Sequence, residues 1–154
     1  MLTEIEKNFL KIIVKTETIA DIWSINSVQK LFSNELSLEH IFIGFIVNEK
    51  LNGYHTECMF PNKYNQNSSK ANMKLDKNKV YKLYLPDAKK YSTCFPYYMN
   101  AIDIIIAIDE AYEEVITHKE KTNIGYSSTY KMNIKILKDL SGKVYNAFPL
   151  NNDT

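Results

Sequence analysis

The stretch Glu39–His55, EHIFIGFIVNEKLNGYH, carries two of the chain's three histidines, His40 and His55, one near each end of an apolar segment that contains a turn. Ile41 to Val47 is a β-branched and aromatic run, the composition of a strand, with Gly44 marking a bulge or a close backbone approach. NEKLNG is a turn signal, so the segment predicts a hairpin. If that hairpin is centred on Val47 and Asn48, residues 40 and 55 face each other, and directly opposed side chains have Cβ atoms about 5 Å apart. Two imidazoles around one small space can remove a proton on one side of a reacting group and donate one on the other. Splitting a phosphodiester with the neighbouring 2′-hydroxyl requires that pair of transfers. Two rival readings stand beside it: unrelated surface or core histidines, or a metal site with His40, His55 and Cys58 as ligands, for which no fourth ligand is evident. His118, at the end of a long helical run and followed by Lys119, is accounted for by the field of a helix C-terminus.

Working outward, Ile5, Phe9, Ile12, Ile13, Ile19, Ile22 and Trp23 recur at helical spacing between Leu2 and about Lys30, which predicts one or two amphipathic helices. After the hairpin comes a polar tract, PNKYNQNSSKANMKLDKN, with little to bury; the region from Met59 to Lys79 is expected to be the most mobile part of the chain. KVYKLYL alternates like a strand and Pro86 ends it. YSTCFP is a further short extended piece. NAIDIIIAIDEAYEEVITH has the length and the freedom from breakers of a helix with a broad apolar face. YKMNIKILKDLSGKVYNAFPL holds two alternating runs around DLSG, a strong hairpin signal. The class predicted is α+β, with N-terminal helices, antiparallel sheet, a long helix and a terminal β-hairpin.

Composition bounds the partners. A chain of 154 residues that is 45% hydrophobic is long enough for one core, and no linker divides it, so it reads as one domain, residues 1–154. A helical N-terminal part, 1–35, precedes a second part, 36–150. The formal net charge of +1 supplies no global field for a polyanion, so any nucleic-acid contact must come from a local patch. The two cysteines, Cys58 and Cys94, do not make a disulfide framework and read as partly buried thiols. No run approaches the roughly 18 apolar residues of a membrane span, and MLTEIEKNFLKIIVK has charges scattered through it where a signal peptide would be apolar.

Three segments together carry a family resemblance. EHIFIGFIVNEKLNGYH is similar to the two-histidine segment of the EndoU endoribonucleases, in which Gly-x-His supplies the second imidazole. YSTCFPYYMNAIDIIIAIDEAY resembles the bacterial EndoU toxin pattern of Ser-Thr-x-Phe-Pro followed by a helix ending in Glu-Ala-Tyr, and GKVYNAFPL resembles its closing strand. The segments stand in the family's order and span roughly Glu39 to Leu150. The resemblance is also distant to the coronavirus uridylate-specific endoribonuclease.

The resemblance implies cleavage of RNA on the 3′ side of uridine by 2′-hydroxyl transesterification, leaving a 2′,3′-cyclic phosphate. No cofactor is then required, with room for stimulation by a divalent metal. His40 and His55 match the catalytic histidines. The third catalytic group would be a lysine shortly before Ser-Thr, and Lys89 and Lys90 compete for the role; on an extended chain Lys89 shares a face with Thr93 and Lys90 with Ser92, and the resemblance favours Lys89 because in the viral members the lysine and a uracil-contacting serine lie four apart on one face. Thr93 would read the uracil edge. Phe148 takes the place of a base-stacking tyrosine, and Asn146 that of a threonine, a departure that changes reach and geometry at that contact. Expected partners are uridine-containing RNA, tRNA among the candidates, and a cognate immunity protein, with neither DNA nor membrane. The expected setting is the cytoplasm of a target cell, reached as the C-terminal part of a larger delivered toxin. The competing class is a catalytically inert RNA- or protein-binding module, such as an immunity protein, on a related scaffold.

Overall fold

The structure, a computed structural model, describes residues 2–13, 19–48, 50–59, 74–85, 90–118 and 122–152. These form, in chain order, α1 (Glu4–Ile13), α2 (Ile19–Trp23), α3 (Asn26–Leu31), α4 (Glu35–Phe42), β1 (Phe45–Val47), β2 (Lys50–Asn52), β3 (Lys74–Leu75), β4 (Tyr81–Leu85), β5 (Lys90–Cys94), α5 (Ala101–Thr117), β6 (Ile124–Ser127), β7 (Met132–Lys138) and β8 (Val144–Pro149). The class is α+β, as the sequence predicts. Among the described residues the strands pair antiparallel, in a β1–β2 hairpin, a β3–β4–β5 sheet and a β6–β7–β8 sheet, and an isolated parallel bridge joins Phe32 to Val144.

Helix α5 forms where the sequence announces it. Asn100 and Asp103 exchange side-chain and backbone hydrogen bonds at its start, 2.9 and 3.0 Å, a reciprocal cap that satisfies two otherwise unpaired N–H groups. Its broad apolar face, including Ile104, Ile105, Ile108 and Ala111, is buried in one cluster with Ile134, Ile136 and Ala147 of the terminal sheet and Leu38, Ile41 and Phe42 of α4. On β7 the alternation is regular: Met132, Ile134 and Ile136 are buried in that core, while the residues that follow each of them, Asn133, Lys135 and Leu137, are half-buried on the opposite face. The predicted DLSG hairpin is present, Asp139 accepting from Ser141 N and Lys143 N within the turn.

Three local expectations are corrected. Among the described residues, the region Leu2–Lys30 falls into three helical segments, α1, α2 and α3, where one or two helices are expected. The strand expected from Ile41 starts only at Phe45, because Ile41 and Phe42 complete α4, whose N-cap Asn34 accepts from Ser37 N at 3.2 Å and whose Leu38, Ile41 and Phe42 bury together at helical spacing. Burial on one helix face outweighs the β preference of an Ile-Phe pair. The polar tract is not all loop: Lys74 and Leu75 pair with β4, and Asp76 then organises a tight turn, its carboxylate accepting from Asn78 N and Val80 N. Residues 60–73 lie outside the described residues, so the expected mobility of that tract does too. The segment NIGYSS, which the sequence reading left without an element, contributes β6, an edge strand beside β7.

Candidate active site

The observed β1–β2 register pairs Phe45 with Asn52 and Val47 with Lys50, one residue later than the centre predicted at Val47 and Asn48. His40 is therefore not a cross-strand partner of His55; it sits in the last turn of α4. The two imidazoles nevertheless meet, with ring centroids 6.0 Å apart. What brings them together is the end of the helix resting on the chain that leaves β2: Tyr54 N donates to His40 O and His55 N to Ile41 O, both at 2.8 Å. Gly53 makes this approach possible. A Cβ there would lie 1.8 Å from the His40 carbonyl oxygen, and its φ of +82° is one that other residues avoid. Gly44, at φ +70°, ends α4 in the left-handed conformation common just past a helix terminus, its N–H donating to Glu39 O.

His55 is oriented from its other side by β5. Its Nδ1 lies 2.9 Å from Thr93 O, and its carbonyl accepts from Phe95 N at 2.8 Å. A carbonyl oxygen only accepts, so the first contact selects the Nδ1–H tautomer and leaves Nε2 as the basic nitrogen of the neutral ring. Ser92 Oγ donates to Tyr54 O at 2.7 Å and stands 3.4 Å from His55 Nδ1. Phe148 of β8 lies against His55, centroids 5.1 Å apart and planes 30° from parallel, and Phe45 meets His40 edge-on at 5.6 Å. Both histidines are half-buried.

Below this surface a polar bracket holds the 54–57 segment. The Glu57 carboxylate is buried and accepts from the hydroxyls of Tyr81 (3.0 Å) and Tyr97 (2.9 Å), whose rings stack at 4.5 Å. Burial, and then the neighbouring Cys94 and Glu57, push the Tyr81 phenol far above its usual range, so it stays a donor. Burial also pushes the Cys94 thiol up, which removes it as a nucleophile. Cys58 is exposed.

The remaining residues expected from sequence divide as follows. Thr93 offers its carbonyl to His55, while strand alternation puts its side chain on the face opposite Ser92, across from Lys82 of β4. Asn146 shares the Phe148 face of β8 and is 8% exposed; its Oδ1 is enclosed and has no hydrogen-bond partner among the described residues. Such an acceptor costs about 1–3 kcal/mol until a donor reaches it. Lys90 opens β5 and registers with Leu85, but Lys89 and the Lys90 side chain lie outside the described residues. Among the described residues no group of three or more His, Cys, Asp or Glu side chains is placed to hold a metal ion, so His40, His55 and Cys58 do not form a ligand set. His118 caps the end of α5, as its position suggested. Sequence reasoning missed Ser92 beside His55 and Lys82 opposite Thr93. Only the β4–β5 register and the docking of residues 54–55 along β5 reveal them.

The model of the bacterial EndoU nuclease family matches residues 34–151. The chain belongs to that family. The match begins at the N-cap of α4 and ends just past β8, so it takes in both histidines, β5 and the terminal sheet. No curated protein and no solved structure matches the chain. EndoU membership makes this a nuclease fold, and no helix among the described residues is long and apolar enough to cross a membrane.

Proposed function

We propose that this EndoU domain is an endoribonuclease that cuts RNA 3′ of uridine and acts as the toxic part of a larger delivered protein. The observation that carries the reading is the juxtaposition of His40 and His55, 6.0 Å between ring centroids, in a chain of the EndoU nuclease family. One imidazole takes the proton of the uridine 2′-hydroxyl as O2′ attacks phosphorus. The other gives a proton to the departing 5′-oxygen, so the bond to O5′ breaks as that to O2′ forms, and a 2′,3′-cyclic phosphate remains. A lysine, Lys89 in preference to Lys90, stabilises the charge gathering on the phosphoryl oxygens. DNA lacks the 2′-hydroxyl and is not a substrate. No cofactor enters these steps.

For the base, Phe148 stacks on the uracil ring beside His55, and Thr93 reads an edge. Asn146 replaces a threonine and brings a buried acceptor with no partner of its own, which suits a base N–H such as uracil N3–H. The natural substrate is uridine-containing RNA, with tRNA a candidate, and a cognate immunity protein would protect the producing cell.

The test uses short RNAs with one uridine. The purified protein should cut each 3′ of the uridine, leave a cyclic phosphate and remain active in EDTA. An RNA carrying 2′-deoxyuridine at that position should stay intact. Cleavage of the deoxy substrate, or loss of activity in EDTA with recovery on adding zinc, would sink the mechanism.

A further inference from the structure

The terminal sheet has a face turned away from its core, of which the uridine site proposed above uses only Phe148 and Asn146. By register, Phe148 pairs with Lys135, Lys135 pairs with Ile124, and Asn133 pairs with Tyr126, so these side chains lie on one face with Asn146. Their neighbours in sequence, among them Gly125, Ser127, Ile134, Ile136 and Ala147, are buried on the other. Six positions of the first face thus hold one cation, two amides, two aromatics and an isoleucine, with no acid. Ile124 and Tyr126 are 38% and 41% exposed, and Lys135 makes no ion pair among the described residues. The face begins at the ring that lies on His55 and runs outward across the sheet.

We propose that this face, from Phe148 through Lys135 to Tyr126, is a track for the single-stranded RNA that flanks the cleaved uridine; the proposal rests on the RNA-cleaving reading above. Adjacent strands lie about 5 Å apart, so Lys135 stands one strand from Phe148, within reach of a phosphate next to the uridine. Tyr126 stands two strands away, about 10 Å, where a neighbouring base and not the uracil would meet its ring. An aromatic beside a cation on an open sheet face is what a single strand uses, because every base has a π-face and every linkage a charge. The acids nearest β6 are already engaged: Glu114 accepts from Tyr126 N at 3.2 Å, and Glu110 accepts from Ser127 Oγ and Thr129 Oγ1, each at 2.6 Å. The Glu114 contact also occupies a backbone donor of the edge strand, which disfavours a protein partner adding a strand there. The occupant therefore reads the face.

The experiment compares a uridine-containing dinucleotide, too short to reach Tyr126, with a decamer carrying one central uridine, and measures binding of the same decamer with 2′-deoxyuridine. In Tyr126→Ala the ratio of decamer to dinucleotide kcat/KM should fall about tenfold and decamer binding should weaken by a similar factor, as loss of one stacked base predicts. Tyr126→Phe, which keeps the ring, should restore both. Lys135→Gln should lower the slope of log affinity against log salt by about 0.7, the release from one phosphate on a single strand. Equal losses on dinucleotide and decamer would overturn the track and make these residues part of the uridine pocket. Unchanged decamer binding in Tyr126→Ala and Lys135→Gln would overturn it as well and return the face to a protein partner or a second copy of this chain. If the wild type binds the decamer but cuts neither RNA, the ribonuclease reading fails while the binding arm still decides the track.

Discussion

Around α5 and the terminal sheet, side chains hold the molecule together; around His40 and His55, backbone rests on backbone. The first region is a layer of Ile, Val and Ala from a capped helix and a regularly alternating sheet, all in one buried cluster. The second is a helix end, a hairpin of two three-residue strands and an extended segment, joined by main-chain hydrogen bonds from Tyr54 and His55 to α4 and from Phe95 to His55. Among the described residues a smaller apolar cluster, Leu51, Tyr54, Tyr81, Leu83 and Cys94, lies beside it, while α4 reaches the main core through Leu38, Ile41 and Phe42. The body can absorb a changed side chain by repacking. The His40–His55 corner has less room to do so, because main-chain contacts from Tyr54, His55 and Phe95 position its parts.

That contrast can be broken at several points. Replacing either half-buried histidine with Ala should lower RNA cleavage a hundredfold or more, the usual worth of a proton-transfer partner (about 10²–10⁴), with little change in melting temperature. Loss of fold in step with loss of activity would make the histidines structural. Gly53→Ala should cost about 3 kcal/mol, from the left-handed φ and from a methyl driven into the His40 carbonyl, and should reduce cleavage as α4 is pushed away from residues 54–55. Urea denaturation and initial rates would measure both; a stable, fully active variant would show that the corner has slack after all.

Smaller effects belong to the body. Asn100→Ala removes the cap of α5 and should destabilise by about 1 kcal/mol without altering the kcat of cleavage. If kcat falls, the two regions are more tightly coupled than their bonding suggests. The smallest effect concerns Asp139 in the β7–β8 turn, whose carboxyl is held down at about 2, first by the hydroxyls of Ser141 and Ser33. A carboxyl lowered on folding contributes stability that is present in full above its unfolded value of about 3.9 and is lost as pH falls through about 2. Asp139→Asn should therefore melt below the wild type at neutral pH, and the two curves should converge in acid. A gap that persisted at the lowest pH would assign the stabilisation to packing.

Legibility in the sequence followed the same division. Helix α5, β4, β5 and the last hairpin were readable because each has one strong period and clear stops: Asn100 before the helix, DLSG between the strands. Strand β6 was hidden by its polar setting, since Tyr126 and Ile124 point outward and Gly125 carries no side chain to mark the buried face. Helix α4 was misread because IFIGFIV satisfies a strand pattern locally, and only the burial of Leu38 with Ile41 and Phe42 decides for helix.

The sequence by itself determined that His40 and His55 belong to one short segment, that Gly53 precedes the second of them by two residues, and that Phe148 ends the chain's last alternating run. These are properties of composition and spacing, which a local reading can weigh. Only the tertiary structure decided how the imidazoles meet. Opposition across a hairpin and docking of a helix end on an extended segment both bring residues 40 and 55 near each other, and they differ in one residue of register. That residue is settled by contacts with β5 and the residue just past it, where Thr93 O and Phe95 N engage His55 from 38 positions or more away in the chain. Hydrogen bonds of that separation leave no trace in local periodicity, so the geometry of the site is a property of the fold.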